Sequence, residues 1–150
     1  MWTHKPDEKL NSPFPFFHVA GFVLGVLYTV AQGTTVCILP QYHTEQFLEM
    51  IDKLKVTTLL VPPIVLVMLA KSPKLQRYDL SSVETIQTGG AAVSKEVAKA
   101  VMRKIPSAKH FIHLYGMTEV SGVTHVATTN EISASRYDSC GVLVPSTKAK

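Results

Sequence analysis

The sequence predicts an α/β fold: a mainly parallel sheet with flanking helices. Two observations carry the expectation. Short apolar, β-branched runs alternate with helix-length segments, the pattern of βαβ units. Glycines and prolines (Gly33, Pro40, Pro62-Pro63, Gly89-Gly90, Pro106) fall at the joins between these runs rather than inside them. The 150 residues, 46% hydrophobic and 17% charged, suffice for one core and describe a globular chain.

Taken in order, residues 1–13 form a polar leader with no packing signal. Phe14 to Phe17 is an aromatic run suited to a buried strand end, leading into His18. Ala20 to Ala31 has helical length, and Gly33 stops it. Thr34 to Leu39 is β-branched and apolar, hence a buried strand. Thr44 offers an N-cap before Phe47, Leu48, Ile51 and Leu54 at helical spacing. Val56 to Val61 is the next strand, and Pro63 suits the first position of a helix over 64–71. The loop from Ser72 to Ser82 leads to a strand over 83–88, a Gly89-Gly90-Ala91-Ala92 turn, and a helix capped by Ser94 that runs to about Lys104. Lys109 to Tyr115 is strand again, with a further strand over 123–128.

Several function classes are disfavoured by composition. The net charge is only +4, and the basic residues are scattered, so no nucleic-acid stripe emerges. Cys37 and Cys140, far apart and in apolar surroundings, suit free thiols of a reducing, intracellular compartment. The N-terminus carries acids and is no secretory signal. The apolar stretches 19–31 and 57–70 are shorter than the ~20 residues a membrane span needs, so both are expected as buried core elements and no transmembrane segment is expected.

The run His113-Leu114-Tyr115-Gly116-Met117-Thr118-Glu119 is expected to end a strand and open into a loop. Open α/β sheets bind ligands at the carboxyl ends of their strands. There Tyr115 can stack on a base, Gly116 can admit close approach, and Thr118 and Glu119 can serve a nucleotide phosphate and its Mg²⁺. The paired glycines of Thr88-Gly89-Gly90-Ala91-Ala92 offer bare backbone to a flat ligand. For each motif alone an ordinary turn is the favoured reading. In a parallel sheet, however, both emerge at one edge and can hold two faces of a purine. His18 either lines a substrate pocket or caps the following helix. His110, His113 and His125 lack metal-site spacing, Ser94 and Ser121 lack a His/Asp arrangement, and neither nucleotide-binding glycine fingerprint occurs.

Together, Pro15-Phe16-Phe17-His18, Gly89 to Val97 and Tyr115-Gly116-Met117-Thr118-Glu119 resemble, in order and spacing, the adenylate-forming enzymes: 4-coumarate–CoA ligases, acyl-CoA synthetases and beetle luciferases. Tyr78 to Val83 and Gly141 to Pro145 extend the resemblance across Phe14 to Lys150. It implies part of such an enzyme's large N-terminal domain, with ATP/AMP, Mg²⁺ and CoA as cofactors and a small carboxylic acid as substrate. Carried over, Gly89, Gly90 and Ala91 line the adenine and acyl pocket, and Tyr115 and Gly116 flank the nucleotide. Thr118 contacts phosphate, Glu119 helps hold Mg²⁺, and His18 sits by the acyl carboxylate. The catalytic set is thus Thr118, Glu119 and His18. The chain departs from the family at His113-Leu114, where Gln-Gly is common, and at Ala92, where proline is frequent. The family's Ser/Thr/Gly-rich phosphate loop does not occur in residues 1–13, and its ribose-binding aspartate, arginine and C-terminal domain with catalytic lysine would lie past Lys150. The expectation is therefore a partial AMP-binding domain over 14–150 with weak nucleotide binding and no turnover of its own. The alternatives are a non-catalytic AMP/acyl-binding remnant or a fragment completed by a partner chain. Its compartment would be cytoplasmic or peroxisomal, without a peroxisomal ending on this chain.

Overall fold

The computed structural model describes residues 7–127, 137 and 139–150. Strand β1 spans Lys9–Ser12 and is followed by helix α1, wound as a π-helix over Gly21–Leu27 and as an α-helix over Tyr28–Gln32. Then come β2 (Thr35–Ile38), α2 (Thr44–Leu54), β3 (Thr58–Leu60), α3 (Pro63–Lys71), a 3₁₀ turn over Pro73–Arg77, β4 (Thr85–Gly89) and α4 (Lys95–Lys104). Strand β5 (His110–Met117), a 3₁₀ turn over Thr118–Val120, β6 (Gly122–Val126) and β7 (Val142–Leu143) complete the described elements.

Among the described residues the strands form one sheet in the order β2-β1-β3-β4-β5-β6-β7. Neighbours from β2 to β5 are parallel; β5–β6 and β6–β7 are antiparallel. The chain steps outward from β1 to β2, then returns to β3 on the other side of β1, so the winding direction reverses between β1 and β3. Open sheets place their binding crevices beside such reversals, at the carboxyl ends of the strands.

Alternation along the strands sorts the core into two layers. Leu59, Ile86 and Phe111 point toward α2, α3 and α4 and join a cluster containing Phe47, Ile51, Leu66 and Val101. Leu60, Ile112 and Leu114 point the other way, where Phe14 and Leu24 pack on them. Ser94 caps α4 as expected, its hydroxyl accepting from the Val97 N–H (3.3 Å), and Pro63 opens α3.

Several expectations are corrected. The polar stretch 1–13 is not without packing: Lys9–Ser12 is an interior strand with Leu10, Asn11 and Ser12 buried, residues 1–6 lying outside the described residues. Burial of Asn11 is tolerated because its side-chain amide donates to Leu60 O (3.1 Å) and its carbonyl accepts from Leu60 N–H (2.9 Å), extending the pairing to β3. Phe14 to Phe17 is a turn rather than a buried strand end, and Phe17 is 93% exposed. Strand β2 is an edge strand with Ile38 half exposed, because β1 is its one described neighbour. The residue before the first turn of α2 is His43, not Thr44. The stretch 19–31 is only half core, since Phe22, Leu27 and Val30 on α1 face outward; in 57–70, Ile64 and Met68 do so as well. Finally, β5 runs on past Tyr115 through Gly116 and Met117, because β6 returns alongside and pairs with them. Of the strand expected over 123–128, Thr128 lies outside the described residues.

Candidate active site

A cleft of about 280 Å³ opens at the carboxyl ends of β1, β3, β4 and β5. It gathers His18 from the segment after β1, Gly89 and Gly90 from the end of β4, and Gly116, Thr118 and Glu119 from the end of β5 and the turn beyond. Those segments are distant in sequence and meet because parallel pairing sets Gly89 opposite Leu114, two residues before Gly116. Apolar side chains, among them Val23, Leu24, Leu60, Leu114 and Val123, form the interior. Thr118 and Glu119 stand exposed at its rim.

His18 stands between the cleft and the start of α1. The Ala20 N–H donates to its Nδ1 (3.1 Å), so the ring does cap the start of α1, and it also lines the cleft. An Nδ1 that accepts from a backbone amide places the proton of the neutral ring on Nε2. The ring stacks on Phe14 (centroids 6.0 Å apart, 23° between planes), which limits its rotation.

Tyr115 and Ala91 do not line the cleft. Period-two alternation turns Tyr115 to the opposite face from Leu114 and Gly116, where it is 47% exposed and meets His125 edge-on at 5.5 Å. Ala91 sits on the exposed turn after β4, and its carbonyl lies 3.2 Å from His113 Nε2. His113 was passed over in the sequence as a metal candidate; the signal that points to it is its position two residues before Tyr115, hence on the same face. It ties the glycine turn to β5.

The two glycine sites differ in kind. Gly90 has φ +86°, and a Cβ there would meet nothing within 4 Å, so bare backbone faces open space. A Cβ on Gly116 would lie 1.9 Å from Gly122 O, so the close approach expected of a ligand is made instead by the chain's own β6. The pairing there steps from Tyr115–His125 to Gly116–Val123, leaving Thr124 without an opposite residue. Leu114, the bulky departure from the family pattern, is 8% exposed and projects into the cleft against Leu60 and Ile112.

Among the described residues no group of three or more His, Cys, Asp or Glu side chains could hold a metal ion by itself. Glu119 is the carboxylate lining the cleft. A lone rim carboxylate fits Mg²⁺ only as the ion usually binds nucleotides, with phosphates and waters supplying its other ligands. Cys37 and Cys140 are free thiols, and burial pushes the Cys37 thiol up, away from reactivity. No described helix is long and apolar enough to cross a membrane.

An open α/β sheet with its cleft at the carboxyl ends of the strands has the architecture of a ligand-binding domain, and comparison with known proteins gives the family. The AMP-binding enzyme family matches residues 1–150. The chain is 34% identical over 148 residues to a probable 4-coumarate–CoA ligase 1 of Dictyostelium discoideum, covering 99% of this chain and 26% of that protein. It is 38% identical over 153 residues to the 4-coumarate–CoA ligase CCL1 of Humulus lupulus, covering 100% of this chain and 27% of that one. The luciferase-like enzyme of the mealworm Zophobas morio superposes with a TM-score of 0.78 at 29% identity, over 94% of this chain and 33% of its own. The chain belongs to the AMP-binding, adenylate-forming enzyme family. It spans about a quarter of the length of the curated relatives it matches.

Proposed function

We propose that this stretch carries the acyl-adenylate wall of an ATP-dependent carboxylate-activating ligase, whose product is passed to CoA. The supporting observation is the convergence of His18, Gly89, Gly90, Gly116, Thr118 and Glu119 on one cleft in a chain of this family. In this reading the adenine packs on Tyr115 beside the Gly89–Ala91 turn, and the phosphate passes Gly116 and the Thr118 hydroxyl. The apolar body of the acid lies among Leu24, Leu60, Leu114 and Val123, with its carboxylate at the Nε2–H of His18. Holding carboxylate and phosphate side by side, and offsetting their charge, is what such a site contributes to the reaction. A Mg²⁺ held in part by Glu119 would supply further neutralisation of the phosphates.

These 150 residues hold the adenylate rather than form it, since the family's Ser/Thr/Gly-rich phosphate loop does not occur in them. Two assays separate the parts of the proposal. Calorimetric titration with AMP should give saturable binding, and its absence refutes the binding wall. ATP–pyrophosphate exchange with a panel of carboxylic acids should stay at background, and robust exchange refutes binding without turnover.

A further inference from the structure

At the other end of the sheet, roughly 25 Å along β5 from the cleft, the structure has a second concavity. It lies between the 3₁₀ turn over Pro73–Arg77, the loop 78–82 and the last turn of α4, and measures about 530 Å³. That is within the range of small-molecule sites, ~300–1,000 Å³. Its floor is apolar: Leu75, Leu80 and Ile105 are 5, 8 and 1% exposed. Its rim is held in place by Ser107 Oγ donating to Leu80 O (2.9 Å) and Lys104 Nζ donating to Ser72 O (2.8 Å).

The charged side chains lining this recess are positive in sum. Arg103 and Lys104 line it, both exposed. Asp79 lines it too, but it is already engaged by Lys55 (2.8 Å) and by the Ser81 N–H (2.9 Å). Arg103 has no hydrogen-bond or ion-pair partner among the described residues, and Lys104 uses one of its N–H groups on Ser72. Cations in the last turn of a helix favour its carbonyl end, which accounts for their sign. It does not account for a recess floored by buried apolar side chains beside an unengaged guanidinium, the fork that pairs with carboxylates and sulfonates.

We propose that this recess binds a small amphipathic organic anion, a carboxylate or sulfonate on an apolar body of one or two rings. The site is separate from the adenylate cleft, and its occupancy does not depend on the proposal made for that cleft.

The test is a residue-resolved NMR titration of the full chain with 2-naphthoate and with its neutral isostere 2-naphthamide. The expected result is saturable shifts at Leu75, Tyr78, Ser81 and Ser107 with naphthoate, at least tenfold weaker with the amide. The double variant Arg103→Gln, Lys104→Gln should weaken naphthoate binding at these residues at least tenfold. Val23 and Gly116 report the cleft independently in the same spectra. Shifts confined to the cleft, no shifts, or equal binding of acid and amide would overturn the proposal. Undiminished binding by the double variant would do the same, and the comparison of acid with amide on the unaltered chain stands even if that variant folds poorly.

Discussion

Alanine at Gly116 will destabilise the fold by about 2–4 kcal/mol, and the figure follows from where its Cβ would go. That atom would lie 1.9 Å from Gly122 O, 2.7 Å from Gly122 C and 2.8 Å from Val123 Cα. An ordinary carbon–oxygen contact needs well over 3 Å, so strand β6 must retreat by more than 1 Å. All three obstructing atoms are backbone and cannot rotate away. Overpacking typically costs ~1–3 kcal/mol, and loosening the short β5–β6 ladder forfeits hydrogen bonds worth ~0.5–1.5 kcal/mol each. For a domain of this size each kcal/mol shifts the thermal midpoint by about 2–4 °C, so a loss of roughly 4–16 °C is expected. Thermal unfolding followed by circular dichroism measures it. The control is Gly90→Ala, which meets no neighbour and bears only the strain of its positive φ, ~1–2 kcal/mol. A Gly116→Ala midpoint within 2 °C of the unaltered chain, or a larger loss at Gly90 than at Gly116, would refute the assignment of Gly116 to strand packing.

Leu114→Ala should cost about 2–4 kcal/mol in urea unfolding, the ordinary loss for a buried leucine. On the proposed function it also enlarges the cleft, so calorimetry should show bulkier aromatic acids gaining affinity relative to acetate. Asp79 offers a pH test. Hydrogen bonds from Lys55 and then Ser81 hold its carboxyl well below the usual range. A depressed folded-state pKa contributes stability that is present above the unfolded value near 4 and is lost as pH falls below it. Denaturation midpoints measured from pH 6 down to pH 2 should therefore fall less steeply for Asp79→Asn than for the unaltered chain, and high salt should shrink the difference because the pair is exposed.

Where sequence and structure agree, the agreement rests on local chemistry. Ser94 as N-cap, Pro63 at the head of α3 and the amphipathic α2 and α4 each follow from a few neighbouring residues. Where they differ, the deciding contact is distant. Nothing within Lys9–Ser12 announces a strand; it is made by β2 and β3 on either side and by the Asn11 amide bracketing Leu60. Gly116 and Met117 look like a loop until β6 turns back on them. The site shows the same division. Its residues were legible as motifs, but the sequence could not place Tyr115 and Ala91 outside the cleft that holds the other six, because strand alternation and the bend at Thr124 decide that. The contact of His113 was missed because its bond to the Ala91 carbonyl joins β5 to the turn after β4 rather than two neighbours in the chain.

The most direct measurement of the central claim is a residue-resolved NMR titration of the chain with AMP. Saturable shifts should concentrate at Gly90, Ala91, Tyr115, Gly116 and Thr118, and Tyr115→Ala should weaken binding about tenfold or more, as loss of a base–aromatic stack does. No saturable shift, shifts centred away from the ends of β4 and β5, or unchanged affinity in Tyr115→Ala would contradict the account.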